Sequence, residues 1–257
     1  MTSQLARDSD RRRVLAGLAL GLGGGALAAC GSRAGAQGLA LACPVTPTEI
    51  RGPFPADGVG GADRSINVLD LAEVVRRDIR PSFAELEGVA PGVALELALT
   101  VAESGEACAP LAGRAVYLWQ CDARGYYSLY NRTEVNWLRG LQVADDAGVV
   151  RFTSVVPGCY GGRAPHLHCE VFADLAAARG GAAPLLVSQL GLPTEACAEV
   201  YADGATYGDS AANLARWPAE RDWAFRGERQ AIMMVAMAGD PAGGYRGSAR
   251  LALASAA

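Results

Sequence analysis

Two histidines stand two residues apart in His166-Leu167-His168, and the chain has no others. Side chains at i and i+2 of a strand leave the same face, about 6.5–7 Å apart at Cα, so both imidazoles could converge on one metal ion. Leu167, Cys169 and Val171 would then face a core. An HxH pair also serves structural roles, or copper or zinc, so its meaning depends on further ligands. With no third histidine, these must be Tyr, Asp, Glu or Cys. Tyr160 lies in the loop Pro157-Gly-Cys-Tyr-Gly-Gly-Arg-Ala-Pro165, whose Gly and Pro residues can fold it back over the mouth of the histidine strand. Tyr127 follows another strand candidate. A free phenol has a pKa of about 10. A bound trivalent cation lowers it sharply. Two phenolates with two neutral imidazoles would form a hard, anionic set suited to Fe(III) rather than to Zn or Cu(I).

The elements that must position these residues are strands. Val93, Leu95, Leu97, Leu99 and Val101 alternate with Ala94, Glu96, Ala98 and Thr100, the period-2 signature of a half-buried strand. Further strand candidates are 115–121, 141–144, 149–155, 166–172, 231–238 and 249–253. Leu69 to Arg80 reads as a short helix or an ordered loop, and 175–228 carries no clear period. Short strands separated by Asp/Gly turns predict an all-β, antiparallel β-sandwich with long loops and little helix. The segment Cys43 to Pro55, punctuated by Pro and Gly, is expected to lie extended over the domain.

Three stretches carry a resemblance: Trp119-Gln-Cys-Asp-Ala-Arg-Gly-Tyr-Tyr-Ser128, Leu138-Arg-Gly-Leu-Gln-Val-Ala-Asp-Asp-Ala-Gly148, and Phe152 through Pro-Gly-Cys-Tyr160 and Arg163 to His166-Leu-His168. Together they resemble the catalytic segment of the intradiol ring-cleavage dioxygenases, the family of protocatechuate and catechol dioxygenases. The likeness is close from about Cys108 to Phe172 and looser from Cys43 to the last strand. It implies an Fe(III) cofactor with Tyr160 and His168 axial, and Tyr127, His166 and a hydroxide equatorial. A catechol-type diol would displace Tyr160 and the hydroxide, and O2 would cleave the ring between the hydroxyl-bearing carbons to give a cis,cis-muconate. Released Tyr160 would act as a base. Arg163 would stabilise charge on the ring, or else brace its loop through a salt bridge. Gln189 matches a position near the substrate, or else anchors a loop. Tyr126 is the variable neighbour in the G-x-Y-S pattern. Gln120 stands where exported relatives often have a histidine, outside the ligand set, and Gly161 and Gly162 replace bulkier pocket residues. Trp119 and Trp137 read as core or pocket-wall aromatics. The rival within the same fold is an exported binding module without turnover.

Residues 1–42 read as targeting sequence and linker, leaving 43–257 as the domain. Arg11-Arg12-Arg13 followed by an apolar, Gly/Ala-rich run fits a twin-arginine signal, and Leu27-Ala-Ala-Cys30 fits a lipobox that would lipidate Cys30 and hold the protein at a membrane surface. Cleavage at Ala34-Gly-Ala36 would instead release it. An exported chain can use its remaining six cysteines for up to three disulfides, or bury some as small hydrophobes; Cys169 fits either role. A formal charge of −4 without a basic patch argues against nucleic acid as a partner. Oligomeric state is not legible.

Overall fold

The computed structural model describes residues 43–255, so the twin-arginine signal, Cys30 and the linker lie outside the described residues. Eight strands build the domain: β1 (Ala94–Glu103), β2 (Ala115–Trp119), β3 (Arg139–Val143), β4 (Val149–Val155), β5 (His166–Phe172), β6 (Leu186–Gly191), β7 (Ala236–Asp240) and β8 (Gly244–Leu253). They form two four-stranded sheets, ordered β4-β1-β8-β7 and β3-β2-β5-β6. Five short helices fill the connections: α1 (Leu175–Arg179), α2 (Thr194–Val200), α3 (Gly204–Tyr207), α4 (Ser210–Arg216) and α5 (Glu228–Met233). The architecture is the all-β sandwich that the turn spacing predicts.

Alternation decides which residues fill the space between the sheets. Leu95, Leu97, Leu99 and Val101 of β1 meet Val116 and Leu118 of β2 and Leu167, Cys169 and Val171 of β5 in one buried cluster. Strand β5 is buried along its whole length because its opposite face, bearing His166, His168 and Glu170, is covered as well. The cover includes Ala56 and Phe54, which pack with Tyr117, Trp119 and Tyr127 in a second cluster on the outer side of that sheet.

The structure refines several sequence expectations. The sheets are antiparallel except at one pair: β1 and β8 run in parallel, with Leu95 opposite Tyr245 and Glu103 opposite Leu253. That pairing joins segments far apart in the chain, which local periodicity does not report. The apolar run 231–238 divides into the end of α5 and the start of β7 rather than forming one strand, an ambiguity inherent in continuous apolar runs. Strand β6 lies within 175–228, where its buried Ser188 and Gln189 break the apolar pattern. Leu69 to Arg80 is an ordered loop with one 3-10 turn at Ala72–Val74. Of the six cysteines, Cys43 and Cys108 form a disulfide, while Cys121, Cys159, Cys169 and Cys197 are free and buried.

The segment from Cys43 to Asp57 is a strap. The disulfide ties its start to the loop after β1. Its middle pairs with the edge of β6 through the Glu49 amide, which donates to the Val187 carbonyl at 2.9 Å. Near its end, Arg51 forms an ion pair with Glu170 of β5 and another with Asp57. The strap thereby lies across the outer face of the sheet, over the histidines.

Candidate metal centre

His166 and His168 project from the same face of β5, and the loops after β2 and β4 bring Tyr127 and Tyr160 to meet them. The four donor atoms close a ring. Tyr127 Oη lies 3.1 Å from His168 Nε2, His168 Nε2 3.1 Å from His166 Nε2, His166 Nε2 3.1 Å from Tyr160 Oη, and the two phenolic oxygens are 3.4 Å apart. Donors about 2.0–2.1 Å from one ion and about 95–110° apart are separated by about 2.9–3.4 Å, so the ring has edges that a metal ion would fit. Among the described residues, His, Cys, Asp and Glu alone form no metal-sized cluster, so a metal here would depend on the phenols.

Each donor is held by its surroundings. His166 Nδ1 lies 2.7 Å from the Ala164 carbonyl. A carbonyl only accepts, so Nδ1 carries the proton and Nε2 offers its lone pair to the ring. His168 is held by packing instead: its imidazole stacks on Trp119 at 5.0 Å and 7°, while its Nδ1 is buried without a partner. Tyr160 leans on Gly125, where an added Cβ would come within 3.0 Å of the Tyr160 Cβ. Tyr127 is buried and packs against Phe54 at 5.1 Å. Its neighbour Ser128 receives two bonds from the fully buried Arg139, Nε to Oγ and Nη2 to the carbonyl, both at 2.9 Å. The same guanidinium donates through Nη1 to the carbonyls of Phe54 and Pro55, joining the strap to the Tyr127 loop.

Burial dominates the electrostatics. It raises Tyr127 well above the usual phenol range and Tyr160 to about 12. It lowers His166 to about 4, and His168 well below its ordinary value, with the nearby Arg163 guanidinium adding to both. Without a cation the ring therefore holds two protonated phenols and two neutral imidazoles. A cation would invert that preference for the phenols.

Arg163 makes the salt bridge that one of its two expected roles requires. Its Nε donates to Asp222 Oδ2 at 2.9 Å, its Nη2 donates to Gln189 Oε1 at 2.6 Å, and its guanidinium lies over the Trp223 ring at 4.7 Å. Gln189 is buried and also anchors the strap, with Nε2 donating to the Ile50 carbonyl at 2.8 Å. Asp222 and Trp223 have no counterpart in the sequence reading; the only signal was a Trp beside an Asp in a segment without a period. Tyr126 is 49% exposed and outside the ring, which fixes the register on Tyr127. Gln120 bonds Ser154 and the Val155 carbonyl and does not join the donors. An added Cβ at Gly161 or Gly162 would meet nothing within 4 Å, so space is open beside Tyr160.

A family model described as Dioxygenase matches residues 77–188, a stretch that contains all four ring residues. Over that stretch the chain is similar to the dioxygenases that the model describes. Solved intradiol dioxygenases share the fold. That from Tetranychus urticae is 22% identical over 82% of this chain and 95% of its own, with a TM-score of 0.61. Hydroxyquinol 1,2-dioxygenase from Pseudomonas putida DLL-E4 is 18% identical over 83% and 68%, with a TM-score of 0.51. Catechol 1,2-dioxygenase from Pseudomonas arvilla C-1 is 20% identical over 82% and 62%, with a TM-score of 0.50. No curated protein matches the chain by sequence.

Proposed function

We propose that this protein is an intradiol dioxygenase that cleaves a catechol-type diol between its hydroxyl-bearing carbons, using O2 and a ferric ion held by Tyr127, Tyr160, His166 and His168, to give a cis,cis-muconate. The carrying observation is the closed ring of two phenolic oxygens and two imidazole nitrogens with edges of 3.1–3.4 Å. Two phenols in the donor set favour Fe(III) over zinc or copper. The names of the catechol and hydroxyquinol dioxygenases that share the fold support the substrate class. Bound in the ring, Fe(III) would supply a Lewis acid and an electron acceptor for a chelated diol.

The chain's own residues divide the remaining work. His166 and His168 stay neutral at physiological pH because burial holds both below their ordinary value. Tyr127 is enclosed by Phe54 and the strap and is suited to stay in place. Tyr160 is partly exposed beside the open space at Gly161, so it can turn aside and, as a phenolate, take the proton of a diol hydroxyl on its Oη. Arg163 offers a fixed cation for charge that develops on the ring. Trp119 and Phe54 keep water from the buried side.

The reading includes export by a twin-arginine route and lipid attachment at Cys30. The Cys43–Cys108 disulfide supports an oxidising compartment. Replacing Arg11 and Arg12 by Lys should strand the precursor inside, and Cys30→Ala should abolish lipid labelling.

The central test is metal analysis with visible spectroscopy. The protein should carry about one iron per chain, with a broad phenolate-to-iron absorption that shifts on adding catechol. Colourless protein that stays inactive after iron reconstitution overturns the reading, in favour of a binding module or a zinc site.

A further inference from the structure

Among the described residues, Asp222 is the carboxylate whose side chain bonds the loop leading into β5. Its side chain is fully buried, and it accepts from Arg163 Nε at 2.9 Å, from Arg163 Nη2 at 3.4 Å, and from the backbone N–H groups of Ala164 at 2.7 Å and Ala224 at 2.9 Å. Ala164 is thus held from both sides, since its carbonyl takes the Nδ1 proton of His166 at 2.7 Å. The guanidinium is fixed in its plane by Asp222 and by Gln189 Oε1, and on one face by Trp223 at 4.7 Å. Nη1 is the nitrogen left outside these contacts. A surface ion pair would leave such a side chain several rotamers, whereas a buried carboxylate that also accepts two backbone amides leaves it one.

We infer that Asp222 is a positioning residue of this site: it aims Arg163 at the substrate space and holds the Ala164 carbonyl that sets the tautomer of His166. The role rests on the dioxygenase reading above. It does not require Asp222 to touch iron or substrate. The Ala164 contact needs only a neutral acceptor, which the Asn amide oxygen supplies while its NH2 turns to the Ala224 N–H at the loss of that bond, but fixing the guanidinium needs the charge. Asp222→Asn therefore separates the two parts of the role.

The test is a double-mutant cycle on the iron-loaded protein with catechol, combined with fluorescence of the metal-free protein. Asp222→Asn should lower kcat about 10–100-fold, as outer-shell losses do, with KM changed less than about threefold. Added to Arg163→Met, it should cost less than about threefold more, because residues that act as one unit are not additive. In metal-free protein, Asp222→Asn should alter the emission assigned to Trp223 by comparison with Trp223→Phe, since the guanidinium above that ring is released. Fully additive losses in the cycle, or unchanged Trp223 emission, overturn the inference. If wild-type protein fails to turn over catechol, the function reading falls while the fluorescence arm still decides the positioning role. Should Asp222→Asn not fold, Asp222→Glu against Asp222→Gln makes the same comparison of charge at equal size, and equal Trp223 emission in those two variants overturns the inference.

Discussion

A methyl group on Gly52 would stand 3.0 Å from Cε1 of His168, and the residue has a φ of +80°. The strap therefore passes the imidazole closely enough that any side chain at this position would crowd it. Gly52→Ala should cost about 1–2 kcal/mol from the left-handed conformation alone. It should also push strap and imidazole apart and weaken iron retention. Urea unfolding of the metal-free protein reads the first effect, and iron content after dialysis against a chelator reads the second. Unchanged iron retention would mean that the strap yields and His168 does not.

The two tyrosines of the ring should separate by variant. Tyr160→Phe should keep some iron and bind catechol but turn over slowly, having lost its base. Tyr127→Phe should remove the phenolate that remains when substrate is bound and so change the colour of that complex. Tyr126→Phe, at an exposed position, should change neither. Absorption spectra and single-turnover rates of the three variants check this, and loss of colour in Tyr126→Phe alone would shift the register by one.

Iron uptake should strengthen as pH rises. Burial keeps Tyr160 at about 12 and Tyr127 above the usual phenol range, while His166 is held near 4. Across neutral pH the imidazoles are thus already free of protons, and only the phenols must release them on binding a cation. Competition with a chelator at fixed free iron between about pH 6 and 8 should show affinity increasing with pH. A flat profile would place the phenols outside the ligand set.

Arg139→Met should destabilise the protein by about 3 kcal/mol or more, because it strips the Phe54 and Ser128 carbonyls of their side-chain donor, Pro55 keeping the Tyr117 hydroxyl. It should also lower iron affinity, since Arg139 ties the Phe54 and Pro55 carbonyls to Ser128 beside Tyr127. Denaturant midpoints and iron titration measure the two effects, and the second should exceed that of a core cavity of equal cost placed between the sheets, such as Leu99→Ala.

Removing the disulfide by Cys43→Ser with Cys108→Ser opens a cross-link that spans 65 residues. The expected loss is about 2–4 kcal/mol. Faster proteolysis should appear first in the strap, whose start is held there by the cross-link. Limited digestion followed by mass spectrometry locates the cuts.

The ring was legible in the sequence because each donor sits on a local feature: an i, i+2 pair on a strand and two tyrosines in Gly-rich loops. The strap was legible as an extended segment, but its contact with His168 was not, since nothing in Gly52-Pro53-Phe54 names its partner. Asp222 escaped for the same reason, being far from Arg163 in the chain and close only through folding. Strand β6 was hidden because its buried Ser188 and Gln189 look like surface residues; Ser188 is satisfied by the Pro47 carbonyl and Gln189 by Ile50 and Arg163. The parallel β1–β8 pair left no local trace at all.

That pair bears on when the molecule can fold. Strand β8 lies between β1 and β7 in its sheet, so a chain emerging from the ribosome carries β1 long before the neighbour that completes it. Until Tyr245 to Leu253 are made, one side of β1 is an open slot with unpaired amides and carbonyls, the kind of edge that recruits wrong partners. Pairing across such a separation is also slow, on the order of milliseconds to seconds. Under the twin-arginine export proposed above, which carries folded proteins, the precursor would have to be shielded through that interval, and a truncation before Gly244 should leave it permanently waiting.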